Sequence, residues 1–273
     1  MPFPSLIRKV QSTAGIVKKI DNWWMALLDH AGLFHGPYRC KLKNRLDFQL
    51  RAGTDDSRVL FEIHVQECYG AAVIEPGATV VDIGANIGCF SIWAAQKASR
   101  VIACEPHPDN LEILRRNAAI NRTTNLEIIP CAISGVSGKS ELFFPENDTF
   151  FGRYSLQNRR GTPSVEVTCL TLEDLLLQTH VTSIDLMKID CEGSEYEILY
   201  ATAGRTLSQI QQIILECHTI PDRPHWCQTD LARFLEGQGF EVVHNASLLY
   251  AKRAPSPSWQ AWPARAGPSN ERM

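Results

Sequence analysis

The feature that most constrains the fold of this chain is a regular alternation, from residue 79 onward, of short apolar runs with amphipathic stretches. This alternation is typical of βαβ units, in which each strand is followed by a helix that packs back on the sheet. Strands connected in this way lie parallel, and helices cover both faces of their sheet. The sequence therefore predicts an α/β fold with a doubly wound, mostly parallel sheet.

The elements predicted from this pattern give a seven-stranded sheet. We expect its strands at residues 79–83, 100–104, 126–129, 184–189 and 210–216, with a closing pair at 240–243 and 248–251. We expect helices at residues 88–97, 109–121, 172–178, 194–203 and 231–236. Two further alternating runs, 140–144 and 165–170, predict an antiparallel excursion from the main sheet.

Three regions of different character divide the chain. In residues 1–75 an alternating run at 46–50 is followed, from Val59, by residues that we interpret as a strand and then a helix, and this region is predicted to cap the core. Residues 76–254 carry the βαβ pattern and form the predicted main domain. Residues 255–273 combine four prolines with Ser, Gly and Ala, so we predict a disordered tail.

The apolar residues of the segment 7–28 are spaced as on one face of a helix, and lysines and arginines interrupt them. These charges argue against a signal peptide and against a span of about 20 apolar residues. We therefore expect no export, no transmembrane helix and a cytoplasmic protein. Packing of this helix on its own domain is favoured over contact with a membrane or a partner.

The charge and cysteine content exclude several functional classes. Lys and Arg total 27 against 30 Asp and Glu, a formal net charge of −3, so the chain lacks the basic character of a nucleic-acid-binding protein. The nine cysteines form no CxxC pair, and several lie in apolar runs. We interpret them as reduced, mostly buried thiols rather than as disulfides or a zinc site.

A ligand site is indicated where the first strand runs into the first helix, in the segment VVDIGANIG at residues 80–88. Its glycines let the backbone approach a ligand, and the helix N-terminus offers free N–H groups. A dinucleotide fingerprint would need glycine at Asn86, and the acid Asp82 suits an ammonium or a sulfonium better than a phosphate. We therefore predict S-adenosylmethionine as the ligand, because it carries both cations. The predicted binding residues here are Asp82, Gly84, Ala85, Asn86 and Gly88. The alternative is a tight turn that Asp82 only caps.

A second acid, Glu105, ends the second predicted strand 23 residues after Asp82. This spacing is close to that at which an acid accepts hydrogen bonds from ribose hydroxyls in nucleotide-binding sheets. Pro106 follows it and stiffens the loop that would lie under an adenosine. We predict that Glu105 and Pro106 contact the cofactor.

In these motifs, and from about residue 51 to residue 218, the chain resembles the FkbM-type methyltransferases. The matching residues are 81–88, 104–106, 171–175, 187–195 and 214–218. The resemblance implies S-adenosylmethionine as cofactor and methylation of a hydroxyl group on a glycan, a polyketide or another small molecule. It also implies that Cys131 and Ala132, after the third strand, lie against the adenine.

Acidic residues and a histidine follow the fourth and fifth strands of the predicted sheet. Asp190 follows strand four, and Glu216 and His218 end strand five, so all three reach the same edge of the sheet. We predict His218 as the catalytic base, with Asp190 or Glu216 to orient it or the acceptor, and Asp190 also contacts the cofactor. We predict no metal, although these three residues have the side chains to hold a divalent cation.

The segment 145–163 mixes aromatic and basic residues, which suits a lid that accepts a sugar or an anionic acceptor, or else an inert surface loop. Two other functions compete with methyl transfer. The first is a nucleotide-binding oxidoreductase, disfavoured by Asn86. The second is a non-catalytic protein that keeps the fold and binds a partner, for which Trp259 and Trp262 in the tail are candidates.

Overall fold

The strands and helices are taken from a computed structural model that describes residues 15–144, 155–156, 162–220 and 223–253. In chain order the strands are β1 (Pro37–Lys41), β2 (Asp47–Arg51), β3 (Thr79–Ile83), β4 (Arg100–Cys104), β5 (Leu126–Ile129), β6 (Ala132–Ile133), β7 (Gly138–Phe143), β8 (Ser164–Leu170), β9 (Leu186–Ile189), β10 (Gln212–Glu216), β11 (Phe240–Asn245) and β12 (Leu248–Arg253). The helices are α1 (Trp23–His30), α2 (Asp56–Leu60), α3 (Cys89–Ala95), α4 (Pro108–Ile120), α5 (Leu172–Thr179), α6 (Glu195–Ala201), α7 (Gly204–Leu207) and α8 (Gln228–Gly237).

Seven of these strands form the central sheet, in the order β11-β12-β10-β9-β3-β4-β5. The pairs from β10 to β5 are all parallel, whereas β12 runs antiparallel to both β10 and β11. This architecture confirms the predicted α/β class and the seven-stranded, mostly parallel sheet. The strand order reverses between β3 and β9, and the crevice at such a reversal is where doubly wound sheets bind ligands.

The central strands are apolar because helices cover both of their faces. Val81 and Met187 are fully buried with α5, α6 and α8 residues on one face, whereas Val80 and Leu186 are fully buried with α3 residues on the other. Burying one such side chain contributes about 1.5 to 3 kcal/mol. The packed sheet thus places the residues that follow its parallel strands together at its carboxyl edge.

The N-terminal hairpin of β1 and β2 is joined to this domain through α4. The Asn117 side chain accepts a hydrogen bond from Gln49 N at 2.7 Å and donates to Ile87 O at 2.9 Å, and the Asn121 side chain accepts from Asp47 N at 3.0 Å. These contacts tie β2 to the turn that follows β3. The boundary expected between residues 75 and 76 stays a prediction.

Two predictions in the N-terminal region are wrong. In the described part of segment 7–28, the helical residues 15–19 are separated from α1 by Ile20, which pairs with Leu42, and by a turn at 21–22. The strand expected from Val59 is instead the end of α2 followed by a π-helical turn, Phe61–Val65. The apolar residues there resemble a strand, but the buried residues Leu60 and His64 are four apart, which is a helical spacing.

Three further elements, β1, β6 and α7, were not predicted. Strand β1 alternates exposed and buried residues, with Tyr38 and Cys40 facing inward, but it is only five residues long and begins with a proline, a residue depleted in strands. The other two are two and four residues long, too short for a periodic signal.

Some expectations fall on residues outside those described. They are the tail at 255–273, the start of the N-terminal segment at 1–14 and most of the lid segment at 145–163. Among the helices that the structure does describe, none has the length and apolar character needed to cross a bilayer.

Candidate active site

A cavity of about 320 Å³ opens at the carboxyl edge of β3, β4, β9 and β10. Ten of the residues predicted for the site line it: Gly84, Ala85, Asn86, Glu105, Pro106, Cys131, Ala132, Asp190, Glu216 and His218. Two others, Asp82 and Gly88, are buried beneath the wall instead. The sheet therefore brings most of the predicted cofactor and catalytic residues to a single cavity.

The glycine turn is required by contacts between neighbouring segments of the protein. Gly84 has φ +78°, and a Cβ there would lie 1.9 Å from the carbonyl oxygen of Asp190. Gly88 has φ +89°, and its Cβ would lie 2.3 Å from Leu114 Cδ1. The first glycine thus lets the ends of β3 and β9 approach each other, and the second lets α4 pack on the turn. The sequence analysis instead attributes these glycines to the close approach of a ligand.

The structure corrects the expected position of Asp82, whose side chain has no exposed surface. Ser91 Oγ donates to its Oδ2 at 2.5 Å, and Lys188 Nζ lies 3.1 Å from its Oδ1. Lys188 also donates to Gly84 O at 2.8 Å. The charge of Asp82 is therefore compensated inside the protein, and it holds the turn rather than facing a cationic ligand.

Lys188 is a site residue that the sequence analysis missed. Burial alone lowers its pKa, but the nearby Asp82 and Asp190 carboxylates outweigh this effect and the net shift is upward. The ammonium therefore stays charged. The signal that could have found it is a lysine in the middle of an otherwise apolar strand, since such a buried charge needs a partner.

Glu105 is held rigidly in the cavity wall by N–H donors. It accepts hydrogen bonds from Asn86 N at 2.8 Å, from His107 N at 2.9 Å and from Asn110 Nδ2 at 3.3 Å. Burial raises the pKa of Glu105, and these three hydrogen bonds oppose that shift. Asn110 and His107 were also missed by the sequence analysis, because nothing in their spacing distinguishes them from helix-capping residues.

Beside Glu105 the wall becomes apolar. Cys131 and Ala132 line the cavity together with Cys104, Ile133 and Leu142. A flat aromatic ring with few polar contacts would fit against this surface.

All nine cysteines are free thiols, and those at positions 40, 89, 104, 131 and 169 are buried.

At the opposite end of the cavity, the structure brings Asp190, Glu216 and His218 together. One ligand atom from each lies within 4.8 Å of the others, a set that could also hold a metal ion. The absence of a metal stays a prediction. The imidazole points its Nε2 toward two carboxylates, 3.9 Å from Asp190 Oδ1 and 3.8 Å from Glu192 Oε2.

Glu195 fixes the orientation of His218. Its Oε1 accepts the backbone N–H of His218 at 2.7 Å and lies 3.2 Å from the ring Nδ1, while its Oε2 accepts Gly193 N at 2.8 Å. A carboxylate at Nδ1 assigns the ring proton to that nitrogen in the neutral tautomer, which leaves Nε2 free to accept a proton. The sequence places Glu195 among the acids that follow strand four, but it gives this residue no catalytic role.

The carboxylates around His218 control its protonation. Burial lowers the pKa of the imidazole, but Glu195, Asp190 and Glu192 outweigh this and raise the pKa to about 9. In this arrangement the ring is an imidazolium at neutral pH. A base must be neutral to accept a proton, so the predicted role of His218 requires a change in the charge around it.

The N-terminal region also contributes to the cavity wall. Tyr69, almost fully buried, donates its hydroxyl to Asp190 Oδ2 at 3.2 Å. Arg58 and Glu62 line the wall and form an ion pair at 2.9 Å. None of these three was predicted, because motif spacing within the sheet domain gives no information on which cap residues fold over it.

Comparison with known proteins identifies the family. Residues 82–242, more than half of the chain, match the family model described as the methyltransferase FkbM domain. The chain belongs to the FkbM methyltransferase family. The glycine turn after β3, Glu105 and the residues around His218 all lie within the matched part, and FkbM membership identifies the protein as a methyltransferase.

Two named methyltransferases and one solved methyltransferase structure are similar to this chain over most of its own length. The 31-O-demethyl-FK506 methyltransferase FkbM of Streptomyces tacrolimicus is 27% identical over 222 residues, which cover 70% of this chain and 84% of that protein. Methyltransferase sdnD of Sordaria araneosa is 24% identical over 233 residues, covering 74% and 88%. A crystal structure of a methyltransferase FkbM from Methylobacillus flagellatus KT has a TM-score of 0.44 at 18% identity, covering 71% of this chain and 53% of that one.

Proposed function

We propose that this methyltransferase transfers a methyl group from S-adenosylmethionine to a hydroxyl oxygen of a small molecule or a glycan. The observation that carries the proposal is the single cavity that joins a carboxylate suited to a ribose, Glu105, to a histidine oriented for proton transfer, His218. The 31-O-demethyl-FK506 methyltransferase, by its name, acts on an oxygen, which supports the choice of a hydroxyl acceptor.

The residues of the cavity fit this cofactor. Asn86 Oδ1 is buried in the cavity wall and has no hydrogen-bond partner among the described residues, so a donor on a ligand would satisfy it. Glu105, already fixed by three N–H donors, keeps lone pairs for ribose hydroxyls. Cys131 and Ala132 would contact the adenine, and Asp190 would face the amino-acid part of the cofactor.

When bound, S-adenosylmethionine supplies a methyl group on a positively charged sulfur, and loss of that methyl group leaves the sulfur as a neutral thioether. The protein has then to align the acceptor oxygen and to accept its proton. Once the ring of His218 is neutral, its Nε2 takes the proton, and Glu195 keeps that nitrogen directed into the cavity. Proton acceptance by a positioned base contributes about 10² to 10⁴ in rate.

The test is equilibrium dialysis of the protein with labelled S-adenosylmethionine and, separately, with labelled NAD. We expect saturable binding of the first ligand only, and weaker binding by Glu105→Ala. The matched control is Glu241→Ala, which removes an exposed acid from β11. Preferential binding of NAD, or binding of neither ligand, would contradict the proposed use of S-adenosylmethionine.

A further inference from the structure

A chain of hydrogen bonds leads from the N-terminal hairpin to the wall of the cavity. Arg51, the last residue of β2, donates through Nη2 to Asn110 Oδ1 at 2.8 Å. Asn110, which lies on α4 and is 2% exposed, donates through Nδ2 to Glu105 Oε1 at 3.3 Å. Asn110 and Glu105 line the cavity, whereas Arg51 does not. The carboxylate proposed to bind the ribose is thus connected to a residue outside the cavity.

Arg51 is itself fixed by Asp56, the first residue of α2. Its Nε donates to Asp56 Oδ2 at 2.9 Å and its Nη2 to Oδ1 at 2.7 Å, while its backbone N–H donates to Oδ2 at 2.8 Å. The Asp56 side chain has no exposed surface, and that of Arg51 is 16% exposed. Two parallel bonds of this kind define the geometry of a guanidinium, because its fork of donors matches a carboxylate. Arg51 therefore presents Nη2 to Asn110 from a fixed position, with its charge balanced by Asp56.

The chemistry of arginine decides which way the Asn110 amide is turned. An asparagine side chain has an oxygen that accepts and a nitrogen that donates, whereas a guanidinium has donors alone. The oxygen of Asn110 must therefore face Arg51, which leaves its NH₂ group for Glu105. The reverse orientation would place two donors together at Arg51 and set the amide oxygen against the Glu105 carboxylate. Arg51 thus selects the orientation in which Asn110 binds Glu105.

The two carboxylate oxygens of Glu105 are held differently. Oε2 accepts the backbone N–H of Asn86 at 2.8 Å, whereas Oε1 accepts the backbone N–H of His107 at 2.9 Å and the side chain of Asn110. Of these three donors, the amide of Asn110 belongs to a side chain, so rotation of that side chain can remove it. Loss of its orientation would therefore disturb Oε1 more than Oε2.

We propose that Arg51 is a positioning residue of the cofactor site, which keeps Glu105 Oε1 directed at one ribose hydroxyl through the amide of Asn110. This inference rests on the proposed binding of S-adenosylmethionine. Two neighbouring hydroxyls can each donate to their own oxygen of one carboxylate, so displacement of Oε1 costs one of the two bonds. The N-terminal hairpin then takes part in cofactor binding, in addition to covering the sheet domain.

The experiment measures the preference for the ribose diol rather than affinity alone. Binding of S-adenosylhomocysteine and of its 2′,3′-dideoxy derivative to the full chain is compared by calorimetry. In the wild-type protein we expect the diol to bind about 100-fold more tightly, since two charge-assisted hydrogen bonds each contribute about tenfold. Arg51→Met should reduce this preference to about tenfold, because one of the two bonds is lost, and should change binding of the dideoxy derivative much less.

The matched control is Arg39→Met. It removes another arginine of the same hairpin, which pairs with Asp47 through two hydrogen bonds but is 50% exposed, and it should leave the diol preference unchanged. A further check separates positioning from a general loosening of the fold. Added to Glu105→Ala, Arg51→Met should not change the preference that remains, because its effect passes through Glu105. General loosening would instead weaken binding of both ligands in either background.

Arg51→Met leaves the Asp56 carboxylate buried without its arginine, so two other variants keep the test open if it fails to fold. Arg51→Met combined with Asp56→Asn removes the pair without an unpaired charge. Asn110→Leu removes the link and keeps the pair. Each should show the same reduced preference.

Three results would overturn the positioning role of Arg51. They are a diol preference that these variants leave at the wild-type value, a preference that Arg39→Met reduces equally, and no preference in a wild-type protein that binds S-adenosylhomocysteine. Failure of S-adenosylhomocysteine itself to bind would instead contradict the proposed function.

Discussion

The two ends of the cavity are built on opposite electrostatic principles. At the end where we propose that the cofactor binds, the cofactor end, one buried carboxylate, Glu105, is surrounded by three N–H donors. At the end where we propose that the acceptor binds, the acceptor end, the carboxylates of Asp190, Glu192 and Glu216 surround one imidazole. Among the described residues, the carboxylate of the first end is met by neutral donors, whereas carboxylates outnumber cations around the imidazole of the second.

This difference indicates different tasks for the two ends. Groups fixed by backbone N–H donors hold a ligand of constant shape, since their geometry costs no rearrangement on binding. A cluster of like charges instead makes its protonation depend on what binds there. We therefore expect changes at the cofactor end to alter affinity, and changes at the acceptor end to alter the rate.

The largest effect is expected from removing the proposed base. His218→Ala should lower kcat about 10² to 10⁴-fold, the usual range for loss of a positioned base, while the Kd for S-adenosylmethionine stays within a few-fold. Labelled methyl transfer gives the rate and calorimetry the affinity. The control is His225→Ala, which removes an exposed histidine.

If His218→Ala keeps near-wild-type turnover, Asp190 or Glu216 must accept the proton, or alignment alone suffices. A chelator adds a second check. Activity lost in chelator and restored by magnesium would assign the acceptor end to a cation held by Asp190 and Glu216.

The next largest effect is expected on stability, from the buried ion pair between Lys188 and Asp82. Lys188→Met should lower the free energy of unfolding by about 3 to 5 kcal/mol, because it leaves the Asp82 carboxylate buried without its partner. Urea denaturation measures this loss. The double variant Asp82→Asn with Lys188→Met should recover much of it, and equal destabilisation by the single and double variants would show that the pair is not coupled.

The sequence predicted the cofactor end better than the acceptor end, for physical reasons. Strands β3, β4 and β5 were predicted to the residue, since short apolar runs bounded by turns leave little freedom in a parallel sheet. The residues that end these strands, such as Glu105, then share one edge by topology alone. At this end, the residues that the local sequence pattern identifies are also the residues that the fold brings to the cavity.

The acceptor end depends on side chains that meet only in three dimensions. Tyr69 reaches Asp190 from 121 residues away, and Glu195 reaches His218 from 23 residues away. No periodicity records such contacts. The pairing of Asp82 with Lys188 was missed for the same reason, and with it the true surroundings of the predicted cofactor acid.

A smaller effect is expected at the cofactor end. Glu105→Ala should weaken binding of S-adenosylmethionine at least about tenfold, since each charge-assisted hydrogen bond contributes about 1.5 to 3 kcal/mol. Turnover at saturating cofactor should change much less, because the carboxylate contacts no reacting atom. Calorimetry with the Glu241→Ala control measures the affinity, and an unchanged Kd would remove Glu105 from the cofactor site.

The smallest effect is a shift of one titration midpoint. His218 in the free protein should titrate near pH 9, as NMR of its ring can measure, because Glu195, Asp190 and Glu192 outweigh the effect of burial. Its pKa is raised, so the ring is protonated below that midpoint and can act as a base only above it.

Bound S-adenosylmethionine adds a positive charge nearby, which should lower the midpoint by about one unit. The rate at saturating substrates should then rise with pH through this lower value. Glu195→Gln should move the midpoint of the free protein toward 6.5. If neither the cofactor nor this variant changes the midpoint, the carboxylates do not control the pKa of His218, and the two ends of the cavity are electrostatically independent.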